Sequence, residues 1–152
     1  MITFKEVTTL EELTLLVPLF VEGYRAMSKK GKVFGCDQDG FLKTLIGILN
    51  MVPRDGITVV LVDGEPVGYG AAYDDTPPFA DHKVLLLWAL YVKPKYSGDV
   101  VLQLFNEAKR FAKVRGYAEM TAFNSRFNGG AIRLFENKLG MTRKRIQFNI
   151  NL

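Results

Sequence analysis

Apolar and polar residues alternate from Ile2 to Val7, the two-residue period of a short strand. The period then lengthens. Leu13, Leu16, Val17, Phe20, Val21 and Tyr24 recur at helical spacing behind Thr9, which with Glu12 three residues on has the spacing of a capping box. Pro18 lies inside this pattern and should kink or divide the helix, because proline removes a backbone donor and crowds the preceding turn. Ser28 to Asp37 reads as a loop carrying Lys29, Lys30 and Lys32. Asp37 or Asp39 can cap a second helix whose inner face is Phe41, Leu42, Leu45, Ile46 and Leu49, and Pro53 stops it.

The middle of the chain reads as strands. Ile57 to Val62 and Pro66 to Tyr73 flank Asp63-Gly64-Glu65, a hairpin signal because Asp-Gly accepts the positive φ of a tight turn. Asp74 to Asp81 is a loop. Lys83 to Val92 is almost wholly apolar, which predicts a strand covered on both faces. Val101, Leu104, Phe105, Ala108, Phe111 and Ala112 form one stripe of a long helix from about Gly98 to Arg115. Tyr117 to Phe123 is a further strand. Asn128 can cap a helix with Ala131, Leu134, Phe135 and Leu139 inside and Gly140 as its stop. Ile146, Phe148, Ile150 and Leu152 alternate as a last strand. The order β-α-α-β-β-β-α-β-α-β predicts an α/β fold, a mixed sheet with helices on its faces.

Length and composition narrow the class. The 152 residues suit a single domain over 1–152, and 48% hydrophobic with 24% charged residues is a globular balance. The one cysteine, Cys36, excludes an internal disulfide framework and a multi-cysteine metal cage, and no metal site is expected. No signal peptide and no membrane-spanning run is visible, so the expected setting is reduced and cytoplasmic. Charge is unevenly divided. Residues 1–82 hold 7 Lys or Arg against 12 Asp or Glu, whereas residues 83–152 hold 13 against 4. Such a split suits an anionic ligand on the C-terminal half and a cationic one on the N-terminal half.

Candidate chemistry concentrates where the apolar strand meets the long helix, at Leu90-Tyr91-Val92-Lys93-Pro94-Lys95-Tyr96-Ser97-Gly98-Asp99. A tight turn into a helix leaves backbone N–H groups unpaired at the positive end of the dipole, which is a phosphate site in outline. His82 is the only histidine and has an ordinary pKa suited to a base. Asp74, Asp75 and Asp81 are candidates for binding or deprotonating an amine; their other reading is turn formation. Trp88 and Tyr91 read as packing residues, and Cys36 as a loop thiol without a histidine nearby. Arg143, Lys144 and Arg145 alternate across a strand, which makes no continuous patch, so nucleic acid is not the expected partner.

Two stretches resemble the GNAT superfamily of acyl-CoA-dependent N-acyltransferases: Leu90 to Gly98, and Asn128-Gly129-Gly130-Ala131-Ile132-Arg133-Leu134-Phe135-Glu136-Asn137-Lys138-Leu139-Gly140-Met141. The resemblance implies a mixed sheet of six or seven strands flanked by four helices. It implies acetyl-CoA, or another acyl-CoA, as co-substrate and a primary amine as acceptor. Leu90, Tyr91 and Val92 would pair with the pantetheine arm, the amides from Ser97 through Gly98, Asp99 and Val100 would cradle the pyrophosphate, and Asn128 would touch the donor near the pantetheine. The family's loop glycines correspond to Val100 and Leu102, and its Arg/Gln to Ser97. Its usual acidic tyrosine corresponds to Phe135, and a glutamate present in some members to Phe123. Two expectations follow: N-acyl transfer driven largely by proximity, or a non-catalytic protein of the same fold that acts through protein contacts.

Overall fold

The computed structural model describes residues 1–28, 36–51, 56–122, 136–137, 140–142 and 150. Strand β1 (Ile2–Glu6) leads into α1 (Leu10–Leu15), capped by Thr9, whose hydroxyl accepts from the Glu12 amide at 3.2 Å. Pro18 divides the expected first helix: α1 ends at Leu15, with Leu16 as its C-cap, and α2 (Val17–Met27) begins with the proline in its first turn, where a missing N–H costs nothing. Asp37 caps α3 (Gln38–Met51) by accepting from the Gly40 amide at 2.9 Å. Its inner face is Phe41, Leu45, Ile48 and Leu49. Ile46, expected inside, is 37% exposed, because the 3.6-residue period favours Ile48.

Strands β2 (Ile57–Val62) and β3 (Glu65–Asp74) form the expected hairpin. Asp63 at φ 50° and Gly64 at φ 83° are the two left-handed residues of a type I′ turn. Strand β4 (Lys83–Val92) follows, then a 3-10 turn at Pro94–Tyr96, α4 (Asp99–Val114) and β5 (Tyr117–Ala122). The sheet order is β1-β2-β3-β4-β5, antiparallel except for the parallel β4–β5 pair that α4 connects. Five strands and four helices are therefore present among the described residues. The expected count of six or seven strands is not reached there. The helix expected from Asn128 and the final strand lie largely outside the described residues, and the fourth helix arises because Pro18 makes two out of one.

The sheet is covered on both faces, as a fully apolar β4 requires. One core joins α1, α2 and α3 to the sheet through Leu13, Phe20, Phe41, Leu45, Ile57 and Tyr69. The other joins α4 through Val100, Leu104, Phe105 and Ala112 to Val60, Val67, Leu85 and Leu87. The expected α4 stripe is shifted at its start: Val100 is 7% exposed in the core, and Val101 is half-buried beside it. Among the described residues no helix is long and apolar enough to cross a membrane.

Candidate functional site

Strand β4 is paired on its β5 side only from Lys83 to Leu87. Its remaining residues, Trp88 to Val92, have no β5 partner among the described residues, while β3 continues beside them as far as Val92. Ala122, opposite Leu87, is the last described residue of β5, and this limit of the described pairing is called the fork. A bulge sits at the fork's crotch: Ala71 faces Ala89 and Ala72 faces Leu87, which leaves Trp88 as the extra residue. The bulge resets the alternation. Trp88 and Ala89 both pack on the α2/α3 face, and Leu90 and Val92 return to the α4 face. A run of apolar residues hides such a shift, so the sequence offered no signal for it.

Beyond Val92 the chain is pinned to β3, with the Lys93 amide donating to the Val67 carbonyl at 2.8 Å. The turn closes on Pro94, whose carbonyl accepts from the Ser97 amide at 3.3 Å and from the Ser97 hydroxyl at 3.0 Å. Helix α4 then starts at Gly98 with no side-chain cap. The first N–H groups of an α-helix have no acceptor in the helix itself, so the Gly98, Asp99, Val100 and Val101 amides are the open donors here. Of the bulky residues at the positions that correspond to the family's glycines, Val100 is buried in the core and Leu102 is 41% exposed. Asp99 is exposed in the first turn, where its charge favours the helix dipole. A Cβ built on Gly98 meets nothing within 4 Å. A strand edge without a β5 partner among the described residues, leading to an uncapped helix start, suits a long ligand with a peptide-like arm and an anionic head.

On the α2/α3 face of the fork stands an aromatic wall. Trp88 stacks on Phe41 with centroids 5.0 Å apart, and Tyr24 tilts against Phe41 at 5.3 Å. The Tyr24 hydroxyl donates to the Cys36 carbonyl at 2.9 Å. Cys36 is half-buried, and burial pushes its thiol above the usual range, which disfavours the thiolate. Tyr91 is buried, and Tyr69 lies between it and Phe20 with its hydroxyl pushed far up by burial.

The acid–base candidates stand at the other end of β4, a ten-residue strand, and so ~30 Å from the turn. His82 holds Asp81 through Nδ1 at 2.6 Å and Glu119 of β5 through Nε2 at 2.9 Å. The bond to Glu119, then that to Asp81, raises its pKa. Asp74 accepts from the Thr76 amide and from the Tyr117 hydroxyl, both at 2.9 Å, and is pulled below the usual range chiefly by the Thr76 amide. The Asp75 amide donates to the Val84 carbonyl. The fold thus joins β3, β4 and β5 through these residues and does not bring them to the turn. Asn128, Phe135 and Phe123 lie outside the described residues, as do Arg143, Lys144 and Arg145. Among the described residues no group of His, Cys, Asp and Glu is arranged to hold a metal.

The fold has many solved counterparts. A structure described as a probable acetyltransferase is 25% identical, with a TM-score of 0.67 over 100% of this chain and 96% of that one. Aminoglycoside N-acetyltransferase AAC(6′)-Iy in complex with CoA is 18% identical, TM-score 0.72, over 99% and 95%. Ribosomal-protein-alanine N-acetyltransferase from Brucella melitensis biovar Abortus 2308 is 15% identical, TM-score 0.71, over 100% of both chains. No curated protein sequence matches. The acetyltransferase (GNAT) family model, however, matches residues 24–141, from the aromatic wall through the fork and α4 to the segment that follows β5. On that match the chain belongs to the GNAT acetyltransferase family.

Proposed function

We propose that the protein transfers an acyl group from acyl-CoA to a primary amine of a small molecule or protein, with acetyl-CoA as the simplest donor. The observation that carries this reading is the uncapped start of α4 at Gly98, with no atom within 4 Å of a Cβ there, reached from a β4 segment, Trp88 to Val92, that has no β5 partner among the described residues. The residues present suit a CoA thioester. Leu90, Tyr91 and Val92 would offer the backbone groups on their β5 side to the amides of a pantetheine arm. The Gly98, Asp99 and Val100 amides offer charge-assisted bonds to a diphosphate. Ser97, already bonded to Pro94, shapes the turn that presents them.

The bound donor supplies an activated carbonyl and a fair leaving group, since a thiol pKa near ~8.5 makes protonation of the thiolate helpful without being essential. The fork's part is then to hold carbonyl and amine together and exclude water, and such positioning supplies much of the rate of an aminolysis. Asn128 and Phe135 enter this reading through the family pattern alone, as a donor contact and as the residue where other members carry a proton donor. His82 has a different part. Two carboxylates facing its two ring nitrogens favour the doubly protonated ring, the form that has no lone pair for an amine's proton. In this reading His82, Asp74 and Asp75 tie the closed end of the fork.

A thermal-shift titration with acetyl-CoA tests the donor. At a hundredfold excess over Kd, binding adds ~2.7 kcal/mol, which for a domain of this size raises Tm by about 5–10 °C. No shift at millimolar acetyl-CoA or CoA removes the reading and leaves the fold acting through protein contacts. Free-thiol release across an amine panel then separates a catalyst from a binder.

Asp99 supplies a second expected result. Its carboxylate adjoins the amides assigned to the diphosphate, so Asp99→Asn should tighten CoA binding about two- to fivefold, in line with a charge effect of 0.3–1 kcal/mol at a helix start. The same change should lower Tm by about 1–4 °C through the lost dipole interaction. Calorimetry of both proteins checks the pair of effects. Unchanged affinity would place the diphosphate away from Asp99.

A further inference from the structure

Between α4 and strands β2, β3 and β4 lies a cavity of about 310 Å³. It exists because small residues face one another there, Gly70 and Ala72 from β3 against Ala108 and Ala112 from α4. Its lining is mainly aliphatic and aromatic, with Leu85, Leu87, Leu90, Leu104 and Phe111 as the large members. Two of these bracket the fork. Leu87 and Leu90 are three residues apart and would face opposite sides of a regular strand. The bulge at Trp88 and Ala89 brings both to the α4 side, one on each flank of the crotch. The cavity therefore adjoins the β4 segment beside which the acyl end of a fork-bound thioester would lie. Its far end is polar: the Lys83 ammonium sits 4.3 Å from the Tyr117 ring centroid and donates to the Arg115 carbonyl at 3.1 Å.

We infer that this cavity receives the acyl chain of the donor, so that the preferred substrate is a medium-chain acyl-CoA rather than acetyl-CoA. The inference rests on the acyl-CoA reading above and extends it to the transferred group. An acetyl group would leave an apolar space of about ten water volumes unfilled, whereas a chain of roughly six to eight carbons would occupy it. The polar end at Lys83, Tyr117 and Arg115 limits the length. The chemistry is unchanged. The thioester C–S bond breaks as one amide C–N bond forms, the amine gives up one proton, the thiolate takes one, and nothing is oxidised or reduced.

The test is calorimetric binding of CoA, acetyl-, butyryl-, hexanoyl-, octanoyl- and palmitoyl-CoA to the intact chain without an amine. Affinity should rise about fourfold per methylene up to the length that fills the cavity, since each buried methylene is worth ~0.8 kcal/mol, and then level or fall. Acetyl-CoA binding with less than a twofold gain on going to hexanoyl-CoA overturns the inference and spares the donor reading. Failure of every CoA ligand overturns both. Ala108→Leu, which fills the cavity from α4, should cut the hexanoyl-to-acetyl affinity ratio at least tenfold, and an unchanged ratio overturns the location. Should that variant not fold, Gly70→Ala takes its place. Its new methyl would sit 3.8 Å from Leu90 Cδ1, an ordinary contact, and the ratio should fall about fourfold.

Discussion

Gly98→Asp should weaken CoA binding roughly 30- to 1,000-fold while changing the stability of the fold by less than about 1 kcal/mol. Aspartate is a preferred N-cap, and its carboxylate accepts from the amides two or three residues on, here Val100 and Val101. The first is a donor assigned to the diphosphate, and the second is the open donor next to it. The variant would satisfy them internally and set a negative charge in the mouth as well. Hydrogen bonds to charged groups contribute ~1.5–3 kcal/mol each, so one or two lost bonds and added repulsion give the expected range. A Cβ at Gly98 meets nothing within 4 Å, so no neighbouring atom resists the side chain, and from ψ −101° the residue turns to the extended conformation of a capping aspartate. Stability should change by only a few tenths of a kcal/mol, the ordinary difference between glycine and aspartate at a cap. Gly98→Ser separates cap from charge: it should lose less affinity than the aspartate. Calorimetry with CoA and thermal unfolding of the three proteins measure both effects. Undiminished CoA binding by Gly98→Asp would mean that the diphosphate does not sit on these amides.

The junction that makes this prediction possible was legible in the sequence because its signals are local. An apolar run, a proline, a glycine and an amphipathic repeat fix β4, the turn and α4 within a residue. The Asp63-Gly64 turn was legible for the same reason, since two positive φ angles in succession leave few residue choices. What stayed hidden depends on partners far along the chain. The bulge at Trp88 exists because β3 and β4 lose register, and a strand apolar at every position conceals which side each residue faces. Val100 took the core place expected of Val101 because the turn sets where the helix starts, and the repeat leaves that phase free by one residue.

His82 shows the same limit in the candidate site. Its sequence neighbours suggested a loop histidine available as a base, yet Glu119, 37 residues away on β5, takes Nε2. A parallel pairing of β4 with β5 brings those residues together, and pairing across a crossover leaves no local mark. The cavity under α4 was equally invisible. Gly70, Ala72, Ala108 and Ala112 are unremarkable in their own elements, and only the packing of α4 on the sheet sets them face to face.

Gly68→Ala should be a strongly damaging small change in the sheet, because a Cβ at Gly68 has no room beside β4. Gly68 pairs with Val60 on one side and Val92 on the other. A Cβ there would lie 2.5 Å from the Tyr91 carbonyl oxygen, 2.8 Å from Val92 Cγ2 and 3.0 Å from Val92 Cα. Two of the three are backbone atoms, so no rotamer relieves the clash and the strands must part. Overpacking of this kind costs ~1–3 kcal/mol and sometimes more, which for this domain lowers Tm by about 3–10 °C. The movement falls on Tyr91 and Val92, the segment assigned to the pantetheine arm, and beside the Lys93 amide that pins the turn to Val67. The folded variant should therefore also bind CoA at least tenfold more weakly. Leu45→Ala gives the contrast. It removes a fully buried side chain of α3, on the face of the sheet opposite α4, at a cost of ~2–5 kcal/mol. Its Tm should fall as far or further, with CoA affinity at a temperature where both proteins are folded unchanged. If Gly68→Ala binds CoA as Leu45→Ala does, the edge of β4 from Leu90 to Val92 is not the donor's seat, and the amides at Gly98 would have to hold it alone.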